Sequence, residues 1–168
     1  MGSGKTATGS ALAELLGWEF VDLDEVIERE QQVQIRRLFW ERGEPAFRAI
    51  EYDALRSCLA RSSKPTILAL GGGAFIQPNN VELLRASGVR TVFLEIPVEE
   101  MLTRCGVEDE ADPENPRPLA ADAAAFRKLY EQRIPSYRAA HLTIDTSGKT
   151  VEETAREIIE GLKLIASR

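Results

Sequence analysis

The stretch MGSGKT at residues 1–6 places Gly2, Gly4, Lys5 and Thr6 at the spacing that ends a G-x-x-x-x-G-K-[ST] loop, with Ser3 between the glycines. Glycines let successive backbone N–H groups turn inward around phosphate oxygens, where a side chain would block them. A helix starting there aims its positive end at the same anion. Lys5 then neutralises β- and γ-phosphate charge, and the Thr6 hydroxyl is suited to a Mg2+ ion. The plainer alternative is a chance run of this composition at a helix start.

Five further stretches hold residue types that do chemistry. DLD puts Asp22 and Asp24 at the carboxyl end of an expected strand, where open α/β sheets bind ligands. Residues two apart on a strand share a face, so both carboxylates are expected in one crevice, one for a hydrated metal and one for a hydroxyl nucleophile. Capping of the next helix by Asp24 is the competing reading. FRAIE and EQRIP place Arg48 and Arg133 on helices. Single helical arginines usually face solvent, but two that converge clamp a carboxylate or phosphate. The glycines 71–73 follow an apolar run and permit close ligand approach, although a plain tight turn also uses glycine. NPRPLA sets Arg117 in an expected loop, where an arginine can swing over phosphates late in a reaction or simply sit in a linker.

These residues need a scaffold that alternates strands and helices. The pattern predicts a helix in TATGSALAELLG with Gly17 as its stop, a helix over 24–61 broken near 31–34 and at Gly43, and strands in WEFVDLD, TILALGGG, VRTVFLEI and HLTIDT. TILALGGG reads as a strand buried on both faces. NNVELLRAS, PVEEMLTRC, DAAAFRKLYEQRIPSYRAA and TVEETAREIIEGLKLIAS read as helices, with Pro135 expected to kink or shift its helix and Thr150 and Glu153 at capping-box spacing. Such alternation calls for a parallel sheet with helices on both faces.

The bulk numbers agree with one domain. The chain has 168 residues, 43% hydrophobic and 29% charged, and 21 bases against 27 acids leave a net charge of −6. That balance disfavours nucleic acid, which needs clustered bases to displace counterions. No apolar run is long enough for a membrane span, and nothing resembles a secretion signal. Cys58 and Cys105 are too far apart for a CxxC pair and are read as reduced, in a cytoplasmic protein. The one histidine, His141, lies in an expected strand and is read as structural, which argues against histidine-based catalysis.

Taken in order, MGSGKT, DLD, FRAIE, LGGGA, RPLA and QRIPSYRAAHLTIDT resemble the shikimate kinases across essentially the whole chain. The resemblance implies a P-loop kinase fold with a mobile lid, phosphoryl transfer from ATP to the 3-hydroxyl of shikimate, and a Mg2+ requirement. Within it, Gly2, Ser3, Gly4, Lys5 and Thr6 correspond to ATP-binding residues, with Thr6 and Asp22 at the metal. Asp24 corresponds to the aspartate on the substrate diol, and Arg48, Gly72, Gly73 and Arg133 to the shikimate-binding set. Arg117 corresponds to the lid arginine, while Arg104 and Lys149 fall where the family lines adenine. Lys5, Asp24 and Arg117 are the expected catalytic residues. The region about 24–61 is the expected substrate-binding part and about 106–119 the lid.

Two departures stand out. The lid is longer than usual and carries Glu108, Asp109, Glu110, Asp112 and Glu114 ahead of Arg117, so it is expected to stay open without ligand. The family's first strand and first loop glycine are not in the sequence. Met1 is accordingly expected to be an interior loop methionine, with about ten further residues before it forming an apolar strand that ends in glycine. The rival readings are another small P-loop kinase, such as a gluconate or nucleotide kinase, and a nucleotide-binding regulator that has lost catalysis. A monomer acting on a small molecule, with no membrane or nucleic-acid partner, is expected.

Overall fold

The computed structural model describes residues 2–61, 64–104 and 123–166. Met1, Cys105, Arg117 and the expected lid at 106–119 lie outside the described residues.

Helix α1 (Lys5–Leu16) starts directly from the glycine loop and stops at Gly17 in the left-handed conformation. Strand β1 (Glu19–Asp22) feeds α2 (Leu23–Gln31), and α3 (Ile35–Arg61) carries a break at Gly43. Gly43 has φ 76°, ψ 170°, which no helix accommodates, so the expected interruption is there. Strand β2 (Thr66–Ala69) leads through the glycine turn and a short 3-10 turn (Ala74–Ile76) into α4 (Pro78–Ala86). Then follow β3 (Val92–Glu95), α5 (Val98–Arg104), α6 (Ala123–Tyr137), β4 (Leu142–Asp145) and α7 (Val151–Leu162). Pro135 lies inside α6 rather than ending it. The Thr150–Glu153 capping box opens α7 with both reciprocal hydrogen bonds made.

All described strand pairs are parallel, as the alternation requires. They form two pairs, β1 with β2 and β3 with β4, instead of one continuous sheet. A cavity of about 970 Å³ is lined by both β2, through Ile67 and Leu68, and β3, through Val92 and Phe93. That is why β2 is half-buried over most of its length where its apolar run predicted burial on both faces.

Packing comes from three apolar clusters. Leu23, Ile27, Leu38, Leu55 and Leu84 join α2, α3 and α4. Leu12, Leu16, Ile144, Ala155 and Ile158 hold α1 and α7 against β4, and Ile96, Met101, Leu102 and Phe126 join α5 to α6. Burying each such Leu or Ile contributes about 1.5–3 kcal/mol. His141 ties β4 to the residue before β3: its Nδ1 accepts from the Thr91 amide at 3.1 Å.

Candidate active site

The site forms at the carboxyl ends of β1 and β2. Their register pairs Asp22 with Ala69, so the β1–α2 junction and the 71–73 glycine turn emerge side by side. Parallel pairing forces both ends to one edge, which is where such sheets bind ligands.

The loop comes first. Gly2 and Gly4 have φ 74° and 79°, values that favour glycine, and Gly4 caps α1 without any side-chain hydrogen bond. No capping side chain therefore occupies the helix end, as an anion cradle requires. Lys5 Nζ lies 3.0 Å from Asp22 Oδ2, and the Thr6 hydroxyl donates to the same oxygen at 2.9 Å. Burial pushes the Asp22 carboxyl up. The hydrogen bond and charge of Lys5, with Thr6 and the Asp24 amide, outweigh that and hold it below the usual carboxylate value. Asp22 is thus a buried, ionised carboxylate with a lysine and a hydroxyl on one oxygen.

The two aspartates are placed differently from the strand argument. β1 ends at Asp22, which is the N-cap of α2 and accepts from the Asp24 amide at 3.0 Å. Asp24 lies in the first turn of α2, so it neither shares a strand face with Asp22 nor caps the helix. Both readings of Asp24 are corrected by the same fact: a cap side chain reaches the amide two residues on and starts the helix there. The carboxylates still approach one place through the helix turn. Burial raises the Asp24 carboxyl above its ordinary value, with Lys5 opposing and Asp22 and Glu28 adding to the rise.

The glycine turn then gathers the acceptor residues. A Cβ at Gly71 would stand 2.5 Å from Asp24 Oδ1, and one at Gly73 would stand 2.5 Å from Arg48 Nη2. Only glycine lets the turn approach both side chains so closely. Arg133 Nη1 reaches the Gly72 carbonyl in a long contact of 3.5 Å, and the Tyr137 hydroxyl donates to the same oxygen. Arg133 Nε is buried and has no partner among the described residues. Asp24, Arg48 and Arg133 therefore converge on one turn, and all three line the large cavity together with Lys5.

Arg48 is held hard. Its Nη1 donates to both Glu51 oxygens at 3.0 and 2.9 Å, Nη2 reaches Glu44 at 3.0 Å, and the guanidinium lies 5.7 and 5.2 Å from the Phe39 and Phe47 ring centres. Burial raises the Glu51 carboxyl above its usual value, against the hydrogen bond and charge of Arg48. Sequence reasoning missed Glu51, although its i+3 spacing from Arg48 was visible in FRAIE. It also missed Asn80 and Tyr137, which carry no spacing signal. Arg104 and Lys149 do not line the cavity; each is in a surface ion pair, with Glu100 and Glu157 respectively.

A glycine loop capping a helix, a parallel strand ending in a carboxylate beside the loop lysine, and a glycine turn approached by two arginines at the same edge define a P-loop kinase fold. The family model described as shikimate kinase matches residues 1–163. Among curated proteins, a shikimate kinase of Moorella thermoacetica is 37% identical over 166 residues, covering 97% of this chain and 90% of that protein. One from Geobacter metallireducens is 40% identical over 161 residues, covering 94% and 85%. Among solved structures, a shikimate kinase from Acinetobacter baumannii in complex with shikimate superposes with a TM-score of 0.85 at 37% identity, covering 97% of this chain and 88% of that one. The chain belongs to the shikimate kinase family.

Proposed function

We infer that the chain transfers the γ-phosphoryl group of ATP to the 3-hydroxyl of shikimate. The observation that carries this reading is the convergence of Asp24, Arg48 and Arg133 on the Gly71–Gly73 turn, beside the loop that holds Lys5 and Thr6. Two guanidinium groups at one turn suit a small carboxylate, which they can grip in fork geometry. A nucleobase acceptor would need a stacking surface instead.

The roles are read from these positions and, for Arg117, Arg104 and Lys149, from the resemblance of the sequence to the family alone. Gly2, Ser3, Gly4, Lys5 and Thr6 bind the phosphates, and Lys5 faces the charge that builds on the transferred group. Asp24, whose burial makes it a better proton acceptor than an ordinary aspartate, orients the acceptor hydroxyl and takes its proton. Arg48, Gly72, Gly73 and Arg133 hold the shikimate carboxylate and ring. Arg117, from its place in the sequence, supplies further positive charge, and Arg104 and Lys149 flank the adenine.

Thr6 Oγ1 and Asp22 Oδ2, 2.9 Å apart, are two hard oxygen donors beside the phosphate loop. No cluster of three or more metal-ligating side chains occurs among the described residues. That donor set fits Mg2+, which typically takes one or two protein oxygens, keeps several waters and leans on substrate phosphates. When bound, the ion supplies charge neutralisation to the β- and γ-phosphates. No helix among the described residues is long and apolar enough to cross a membrane. A monomeric, cytoplasmic enzyme is part of the reading on the family resemblance alone.

The test is turnover in a coupled assay, with ATP and Mg2+, against shikimate, gluconate and a nucleotide panel. Turnover of shikimate alone supports the reading. Preference for gluconate or a nucleotide defeats the acceptor assignment, and tight ATP binding without any turnover favours a regulator.

A further inference from the structure

Asn80 lies in the first turn of α4, is 1% exposed, and touches neither the phosphate loop nor Arg133 in any hydrogen bond the structure shows. A buried amide in an apolar helix face is costly unless its hydrogens are used. Here one nitrogen serves two partners: Nδ2 donates to the Ala74 carbonyl at 3.0 Å and reaches Glu51 Oε2 at 3.5 Å. A carbonyl and an ionised carboxylate are both acceptors, so only the NH2 side of the amide can face them. Glu51 in turn accepts twice from Arg48, and Arg48 packs against Gly73, the neighbour of Ala74. The contacts close a ring: Arg48, Glu51, Asn80, Ala74, Gly73 and back to Arg48.

We propose that Asn80 is a positioning residue for acceptor binding, tying the carboxylate that orients Arg48 to the turn that flanks it. The two amide hydrogens diverge at a fixed angle, so they set the turn and the Glu51 carboxylate at one separation. Arg48 is then presented from a carboxylate that is itself fixed from α4. Without Asn80, Glu51 can rotate and the Gly71–Ala74 turn can drift, and the guanidinium loses its aim while the phosphate loop, on another element, does not. The inference rests on Arg48 binding the acceptor, as the proposed function has it.

Steady-state kinetics of Asn80→Ala, Asn80→Asp, Arg48→Ala and the double variant Arg48→Ala/Asn80→Ala test this. Loss of one hydrogen bond to a charged group predicts that Asn80→Ala raises KM for shikimate about tenfold, with KM for ATP within about twofold of wild type. Asn80→Asp keeps the shape but, when ionised, offers no hydrogen to either acceptor, so it should do at least as badly. In the double variant the Asn80 effect should vanish, because there is no guanidinium left to aim. Equal rises in both KM values, or additive effects in the double variant, would make Asn80 a packing residue only and overturn the inference. Should Asn80→Ala fail to fold, the same split is read from the isosteric Asn80→Asp. A normal shikimate KM in Arg48→Ala defeats the functional reading itself, whereas a raised one there with a normal one in Asn80→Ala defeats only this inference.

Discussion

Replacing Arg48 by alanine should damage stability and substrate binding by separate routes, and a second substitution should pull them apart. Arg48 is 17% exposed and its partner Glu51 is 2% exposed in their ion pair, so the substitution strands a carboxylate out of water. Breaking a buried pair in this way costs about 3–5 kcal/mol. Glu51 has an escape, since it can take up a proton. Its folded value is already raised by burial, and losing Arg48 raises it further. A group raised in the folded state penalises folding at pH above that value and is relieved as pH falls. For a chain of this size 1 kcal/mol moves Tm by about 2–4 °C, which predicts a loss of roughly 6–20 °C at pH 8 that shrinks toward pH 5. Shikimate affinity should fall about 30-fold to several-thousand-fold, the span of about 2–5 kcal/mol for losing one partner of a desolvated pair. Adding Glu51→Gln removes the stranded charge, so the double variant should regain much of its Tm and none of its shikimate affinity. Thermal melts at pH 5 and 8, with calorimetric titration of shikimate and of an ATP analogue, read both. A single variant that melts like wild type at pH 8, or a double variant that recovers affinity along with Tm, would refute the reasoning.

Three other expectations share these assays. Asp24→Asn should abolish turnover with nucleotide binding nearly intact, while Asp22→Asn should raise the Mg2+ concentration needed for half-maximal rate; substantial turnover in Asp24→Asn at saturating substrates would remove its role at the hydroxyl. Tyr137→Phe removes the hydroxyl bond to Gly72 but keeps the ring against Phe93, 5.2 Å between centres, so KM for shikimate should rise about two- to tenfold with KM for ATP unchanged. For pH, wild-type stability should rise relative to Glu51→Gln as pH falls from 7 toward the ordinary glutamate value of 4.5, because only the wild type sheds a raised acid there. Below 3.8 the comparison with Asp22→Asn should run the other way, since the lowered Asp22 carboxyl stabilises the fold until it is protonated; melting curves across pH 3–7 that show neither crossing would contradict the assigned directions.

The parts of the site that could be read from the sequence are those whose meaning lies in neighbours along the chain. The loop at Gly2–Thr6 was legible because glycine, lysine and threonine at fixed spacing have few other uses, and the break at Gly43 because a helix has no place for its dihedral angles. The Asp22–Asp24 pair was legible as a pair but its geometry was not. A side chain that caps a helix begins that helix, and the two-residue period of a strand stops applying at the cap. That Arg48 and Arg133 meet at the glycine turn depended on how α3 and α6 pack against it, a property of the folded chain and of neither helix alone. Glu51 stands between these cases, since three residues along a helix from Arg48 it was readable as a partner but not as a buried one. Asn80 and Tyr137 are the extreme. Their partners lie 29 and 65 positions away in the chain, at Glu51 and Gly72, and nothing near either residue distinguishes it from an ordinary helix polar group. What the structure shows of them is contact with the site's own groups, Glu51 and the Gly72 carbonyl. A site's reacting groups are therefore the part most exposed to reading by motif, and the polar contacts that aim them are the part that only folding reveals.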